Sequence, residues 1–188
     1  MTWSEEGFLF ALHLVSSTAY NPDMPILDQN SLEFISRGTD YTRRVGIRLG
    51  TLLKSGDVIC LEGDLGSGKT VLVQGMAAGW GSLDRVTSPT FVLLNLYRRL
   101  DGGQFHHLDA YRLEQAKEAE ELDLQKNIET GPLVVEWAER ITSALPKDHL
   151  WVSLRIVDEN QRDLIFTARG NYFKSFLEKF RMRIYGGL

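Results

Sequence analysis

Gly63-Asp64-Leu65-Gly66-Ser67-Gly68-Lys69-Thr70 matches the pattern G-x4-G-K-[ST]. In that pattern the glycines let successive backbone N–H groups close around phosphate oxygens at a helix N-terminus. Lys69 then meets the terminal phosphates, as an exposed ligand of charge and not a packing residue, and Thr70 meets Mg²⁺. A glycine-rich turn without a ligand would use the same letters, but it asks for neither a buried strand before it nor a helix after it. Both are read here: Val58-Ile59-Cys60-Leu61 is a short apolar run suited to a strand covered on both faces, and Thr70 to Gly79 reads as helix.

Phosphate chemistry at such a loop also needs an acidic group at the end of a neighbouring strand, to hold the metal shell or position the attacking water. Two residues qualify. Glu136 directly follows the apolar run Leu133-Val134-Val135, and Asp109 follows the strand Phe105 to Leu108 within His107-Leu108-Asp109-Ala110-Tyr111-Arg112. Taken alone, either reads equally well as a solvated carboxylate at a strand end. Ser88-Pro89-Thr90 lies between the loop's helix and the next strand, where a hydroxyl can respond to a γ-phosphate; an ordinary turn fits the same residues. His107 beside Asp109 suggests a metal pair, yet without a cysteine cluster or HExxH a core or capping histidine is the better reading. No N-K-x-D follows the loop and no aspartate has a glycine three residues on, so the GTPase set is missing and an adenine nucleotide is favoured. Gly102-Gly103-Gln104 is read as a turn, and no arginine-rich lid of the kind small kinases close over their substrates is found.

The elements that must position these groups follow from patterning. Leu32 to Ser36 reads as a strand, and Tyr41, Val45, Leu49 and Leu52 recur at helical spacing up to Lys54-Ser55-Gly56. Phe91 to Leu100 and Phe105 to Leu108 flank Asp101-Gly102-Gly103-Gln104 as a hairpin. Gln115 to Leu124 reads as one helix, and Ala138 to Leu145 as another, stopped by Pro146. Trp151 to Ile156 and Leu164 to Ala168 form a second hairpin around Asp158 to Gln161, and Tyr172, Phe173, Phe176, Leu177 and Phe180 mark a terminal helix. Strands alternating with helices, plus two hairpins, predict an α/β P-loop NTPase-like three-layer fold, its central sheet mostly parallel with antiparallel hairpin additions. Residues 31–188 are expected to be a single domain, and residues 1–30, acidic and punctuated by Asn21-Pro22-Asp23-Met24-Pro25, an N-terminal extension of linker character.

Composition excludes other classes. The chain has 188 residues, 43% hydrophobic and 24% charged, enough for one domain with a core and too apolar for disorder. A net charge of -4 disfavours unaided nucleic-acid binding. The single cysteine, Cys60, cannot form an intramolecular disulfide, so a cytoplasmic location is expected. Phe8 to Val15 is too short to span a bilayer and follows Glu5 and Glu6 instead of the basic residues of an export signal.

Four segments in one order, GDLGSGKT, VTSPTF at Val86 to Phe91, HLDAYR at His107 to Arg112 and VVEWAER at Val134 to Arg140, resemble the TsaE (formerly YjeE) family of bacterial P-loop ATPases. That family belongs to the system that makes threonylcarbamoyladenosine beside the anticodon of tRNAs reading codons that begin with A. The resemblance implies ATP held through Leu65, Gly66, Ser67, Gly68, Lys69 and Thr70, with Mg²⁺ on Thr70 and Glu136. It implies a catalytic set of Lys69, Asp109, Glu136 and the switch threonine Thr90. Thr39, Thr42 and Arg162 fall where the family contacts the nucleotide, although Arg155 or Arg169 could serve after a small register change. Ala138 departs from the proline that many relatives carry after Glu-Trp, and the 30-residue extension is unlike the family's short start. The implied role is indirect: TsaC or its relatives make the adenylate intermediate, TsaB with TsaD performs the transfer to tRNA, and TsaE docks on TsaD to couple an ATP cycle to turnover. A small-molecule P-loop kinase and a nucleotide-gated binding module are the alternative classes.

Overall fold

Leu32 and Ser36 are buried while Glu33 and Ile35 are exposed, the alternation of a half-covered strand, and β1 spans Ser31–Ser36. It opens a computed structural model that describes residues 30–87 and 93–185. Helix α1 (Thr39–Gly50) buries Thr42, Val45, Gly46, Leu49 and Gly50 on one side. In β2 (Val58–Glu62) the first four residues are all essentially inaccessible, as a central strand requires. The glycine loop leads into α2 (Lys69–Trp80), which ends at Gly81 in the left-handed region, φ 95°.

Strands β3 (Leu94–Arg98) and β4 (Gln104–Asp109) form the first hairpin, and β5 (Leu133–Glu136) is buried throughout. Strands β6 (His149–Ile156) and β7 (Arg162–Arg169) form the second, and α5 (Asn171–Tyr185) closes the described chain. The seven strands lie in the order β1-β7-β6-β2-β5-β4-β3. Strands β6, β2, β5 and β4 run parallel, while β7 and β1 on one side and β3 on the other are antiparallel additions, as the patterning predicted. One sheet face is covered by α1, α2 and α5 around Leu49, Leu72, Phe166 and Phe180. The other packs Val58, Cys60, Val135 and Leu108 against shorter segments.

Those shorter segments depart from the sequence expectation. The helix read over Gln115 to Leu124 is two helices, α3 (Ala116–Glu120) and α4 (Leu124–Thr130). Asp123 between them sits at φ 47°, outside the right-handed region that a continuing helix needs. The helix expected over Ala138 to Leu145 is a pair of 3-10 turns, Ala138–Arg140 and Thr142–Ala144. Ile141 between them turns to φ -128° to bury its side chain in the second core, which breaks the helical path.

Helices α1 and α2 meet main chain to main chain. A methyl group on Gly46, Gly50, Gly75 or Gly79 would collide with a carbonyl oxygen of the opposing helix, of Leu72, Met76, Arg43 and Ile47 respectively. This seam brings the start of α1 over the glycine loop, with Thr42 Cγ2 close to Gly68.

Candidate functional site

The loop joins the C-terminal end of β2 to α2, where the sheet's parallel strands all end and side chains from several of them can converge. Gly66 and Gly68 sit at φ 80° and 101°, a conformation that residues with a Cβ seldom adopt. Ser67 is fully buried and its Oγ has no hydrogen-bond partner.

Lys69 is not the exposed ligand that the motif suggested: it is 4% exposed. Its ammonium donates to the carbonyls of Gly63 at 2.6 Å and Asp64 at 2.9 Å, and lies 3.6 Å above the Trp137 ring centroid. Burial pulls its pKa below the ordinary lysine value, against the attraction of Glu136, Glu139, Asp109 and Asp64. Trp137 holds that position from a left-handed backbone, φ 59°. Tyr111 packs on its ring at 4.9 Å, and Arg140 stacks over Tyr111 at 5.1 Å.

The two candidate carboxylates are cross-strand neighbours, Asp109 of β4 opposite Glu136 of β5. Their surroundings differ. Glu136 is 3% exposed; one oxygen accepts from Thr70 Oγ1 at 3.0 Å and the other pairs with His107 Nε2 at 3.0 Å. Asp109 is half-buried and accepts from the Tyr111 N–H at 2.9 Å. Burial, with the Glu136 charge beside it, raises the Asp109 carboxyl above its usual range. His107 is therefore a partner of Glu136 and not half of a metal pair with Asp109.

On the other side of the loop, Thr39, Thr42 and Arg162 line one open cleft with Gly66, Ser67 and Gly68. Glu159 and Asn160, which sequence reasoning passed over, also line it. Thr42 is buried and shares a 2.8 Å hydrogen bond with Ser36 Oγ, while Thr39 is exposed. Arg162 folds onto the carbonyls of its own turn, Asp158 at 2.8 Å and Gln161 at 2.9 Å, and reaches the Gly66 carbonyl at 3.4 Å. Arg155 and Arg169 are absent from the cleft lining. Thr90 lies outside the described residues.

These donors suit a phosphate and a hard cation. A helix N-terminus without a side-chain cap, an unpartnered buried hydroxyl and a buried ammonium match an anion's needs. A threonine hydroxyl and a carboxylate 3.0 Å apart match Mg²⁺, which takes one or two protein oxygens and completes its shell with phosphate and water. Among the described residues no cluster of three His, Cys, Asp or Glu side chains could hold a metal by protein alone. A glycine loop between a buried central strand and a helix, with an acidic strand end beside it, defines a P-loop-type α/β protein.

Comparison with known proteins narrows the class. The model of the family described as threonylcarbamoyl adenosine biosynthesis protein TsaE matches residues 36–164. The tRNA threonylcarbamoyladenosine biosynthesis protein TsaE of Treponema pallidum is 39% identical over 132 residues, 69% of this chain and 96% of that protein. Its counterpart of the same description in Bacillus subtilis is 36% identical over 142 residues, 74% of this chain and 87% of that one. Among solved structures, Bacillus subtilis YdiB superposes with a TM-score of 0.69 at 29% identity, covering 82% of this chain and 96% of its own. The chain belongs to the TsaE family.

Proposed function

We propose that this chain is the ATP-binding and Mg²⁺-dependent ATP-hydrolysing component of the tRNA threonylcarbamoyladenosine system. It works in the cytoplasm and couples an ATP cycle to turnover of a TsaB and TsaD transferase, meeting tRNA only through those partners. One observation carries the reading: Glu136, remote in sequence, meets the adjacent pair Lys69 and Thr70 at the end of a glycine loop whose Gly66 and Gly68 lie in the left-handed region. The names of the curated relatives supply the pathway, and no helix among the described residues is long and apolar enough to cross a membrane.

Bound ATP supplies the phosphoanhydride and Mg²⁺ the positive charge that makes its cleavage feasible. The N–H groups from Leu65 to Thr70 hold phosphate oxygens, and Lys69 neutralises the terminal ones. Thr70 and Glu136 hold the cation. Asp109, whose raised pKa makes it a better proton acceptor than an ordinary aspartate, orients the attacking water. Thr39, Thr42 and Arg162 receive the rest of the nucleotide, and Thr90 is assigned the switch role on its motif alone. With the cleft open and Arg162 tied to its own turn, no arginine among the described residues joins Lys69 and the cation against the charge that would develop on the γ-phosphate, so slow hydrolysis by the isolated chain is expected. Steady-state ATPase with and without TsaB and TsaD, beside a multiple-turnover tRNA assay, tests this. Stimulation by the pair and dependence of tRNA turnover on this chain are expected. Failure of the pair to bind or stimulate, with tRNA modification at full rate without this chain, overturns the reading.

A further inference from the structure

Glu136 is gripped by both oxygens, and only one of the grips belongs to the nucleotide loop. Thr70 donates to Oε2. His107 Nε2 lies 3.0 Å from Oε1, with the imidazole fully buried in β4. An ionised carboxylate can only accept, so Nε2 is the nitrogen that carries the hydrogen. The other nitrogen, Nδ1, is buried without a partner, and a proton there would be an unsatisfied donor in the core. The ring stacks on Tyr97 at 6.2 Å and 28°, and Tyr97 packs in turn on Phe105, so the surrounding aromatics fix its plane. An apolar side chain of similar volume would fill this space without leaving Nδ1 unsatisfied. The imidazole's one hydrogen bond with another side chain is the one to Glu136, and that bond offsets its burial.

We propose that His107 is a positioning residue for the metal-binding carboxylate: its Nε2–H holds Glu136 Oε1, so that Oε2 stays turned toward Thr70 and the cation. The proposal rests on the reading of Glu136 as a metal ligand and extends it to the group behind it. A single hydrogen bond leaves a carboxylate free to swing about its terminal torsion, whereas two bonds on opposite oxygens hold its plane, and such supporting groups commonly contribute tenfold or more to metal affinity.

Two measurements test it. Long-range nitrogen–proton NMR on the ligand-free protein at neutral pH is expected to show His107 as the Nε2–H tautomer; an Nδ1–H tautomer overturns the proposal. Nucleotide binding titrated against Mg²⁺ is expected to need about tenfold or more Mg²⁺ in His107→Ala, with metal-free nucleotide binding unchanged. His107→Gln, whose amide N–H can reach the place of Nε2, is expected to restore most of that loss, and the shorter His107→Asn to restore little. This pair decides the matter even should the alanine variant fold poorly. A wild-type Mg²⁺ requirement in His107→Ala, or equal behaviour of Gln and Asn, overturns the proposal. If the unmodified protein binds nucleotide without regard to Mg²⁺ and Glu136→Gln is silent, the metal role of Glu136 is wrong and the proposal falls with it. That failure is recognisable because it appears with His107 intact.

Discussion

At the β5 end of the site Glu136 is sealed in the protein with each oxygen held by a side chain from a different element, α2 on one side and β4 on the other. At the α1 end Thr39 and Glu159 are open to solvent, and Arg162 is tethered to main-chain carbonyls of its own hairpin turn. The buried end is preorganised: its charges are desolvated, few rearrangements are open to it, and a lost partner leaves a polar group unsatisfied. The open end is adjustable, and contacts made there work against water and are individually weak. Under the proposed function, the phosphate chemistry falls to the first end and contacts with the rest of the nucleotide to the second.

That division can be broken most severely at Lys69. Lys69→Met keeps the buried stem and removes the charge, and is expected to cost at least a hundredfold in ATP binding or turnover, about 2.7 kcal/mol. Nucleotide titration alongside circular dichroism checks it; normal binding by a folded variant would mean that the loop is not a phosphate site. Glu136→Gln keeps the shape and is expected to lower hydrolysis at least tenfold, about 1.4 kcal/mol or more, and to weaken Mg²⁺-dependent binding. A silent Glu136→Gln with a severe Asp109→Asn would exchange the roles of the two carboxylates. At the open end, Arg162→Ala should weaken ATP affinity only a few-fold, about 1 kcal/mol, with kcat unchanged. A large fall in kcat there would erase the distinction between the two ends.

A smaller effect concerns stability. Since burial raises the Asp109 pKa, the folded state holds that proton more tightly than the unfolded chain does, and the group's contribution to stability fades as pH rises through the folded pKa. Asp109→Asn cannot ionise, so its melting temperature should gain on the wild type as pH goes from acid to neutral, by a few degrees, even while turnover falls. A constant difference across pH would place the Asp109 pKa at its ordinary value. Least of all, removing residues 1–29 is expected to leave ATP binding unchanged, because the family match begins at residue 36. A loss of affinity on truncation would give the extension a part in the open end.

Much of this arrangement was legible in the sequence where a long pattern and a short motif agreed. Val58 to Leu61 ahead of the glycines located β2, the loop and α2 together, and the two hairpins announced themselves through their polar turns. The second face was harder. Asp123 and Ile141 interrupt helices whose composition is ordinary, because short segments follow the demands of the core more than their own propensity. The burial of Lys69 was also hidden, since it depends on Trp137 lying over the ammonium from the turn after β5, remote in sequence. The choice between Asp109 and Glu136 needed the register of β4 on β5 and the hydrogen bonds around each, which spacing does not contain.

The glycine seam between α1 and α2 has a mechanical side. With backbone against backbone at Gly46, Gly50, Gly75 and Gly79, these four points have no side chain to change rotamer and take up play. The two helices therefore turn as a single lever, carrying Thr42 and Gly68 together. Across the cleft, the turn that bears Arg162 is fastened by hydrogen bonds to itself and touches the loop at the Gly66 carbonyl. Any widening of the cleft is therefore expected from the β6–β7 turn and not from parting of the helices. Amide exchange along the seam, at residues 46–50 and 75–79, should then be slow.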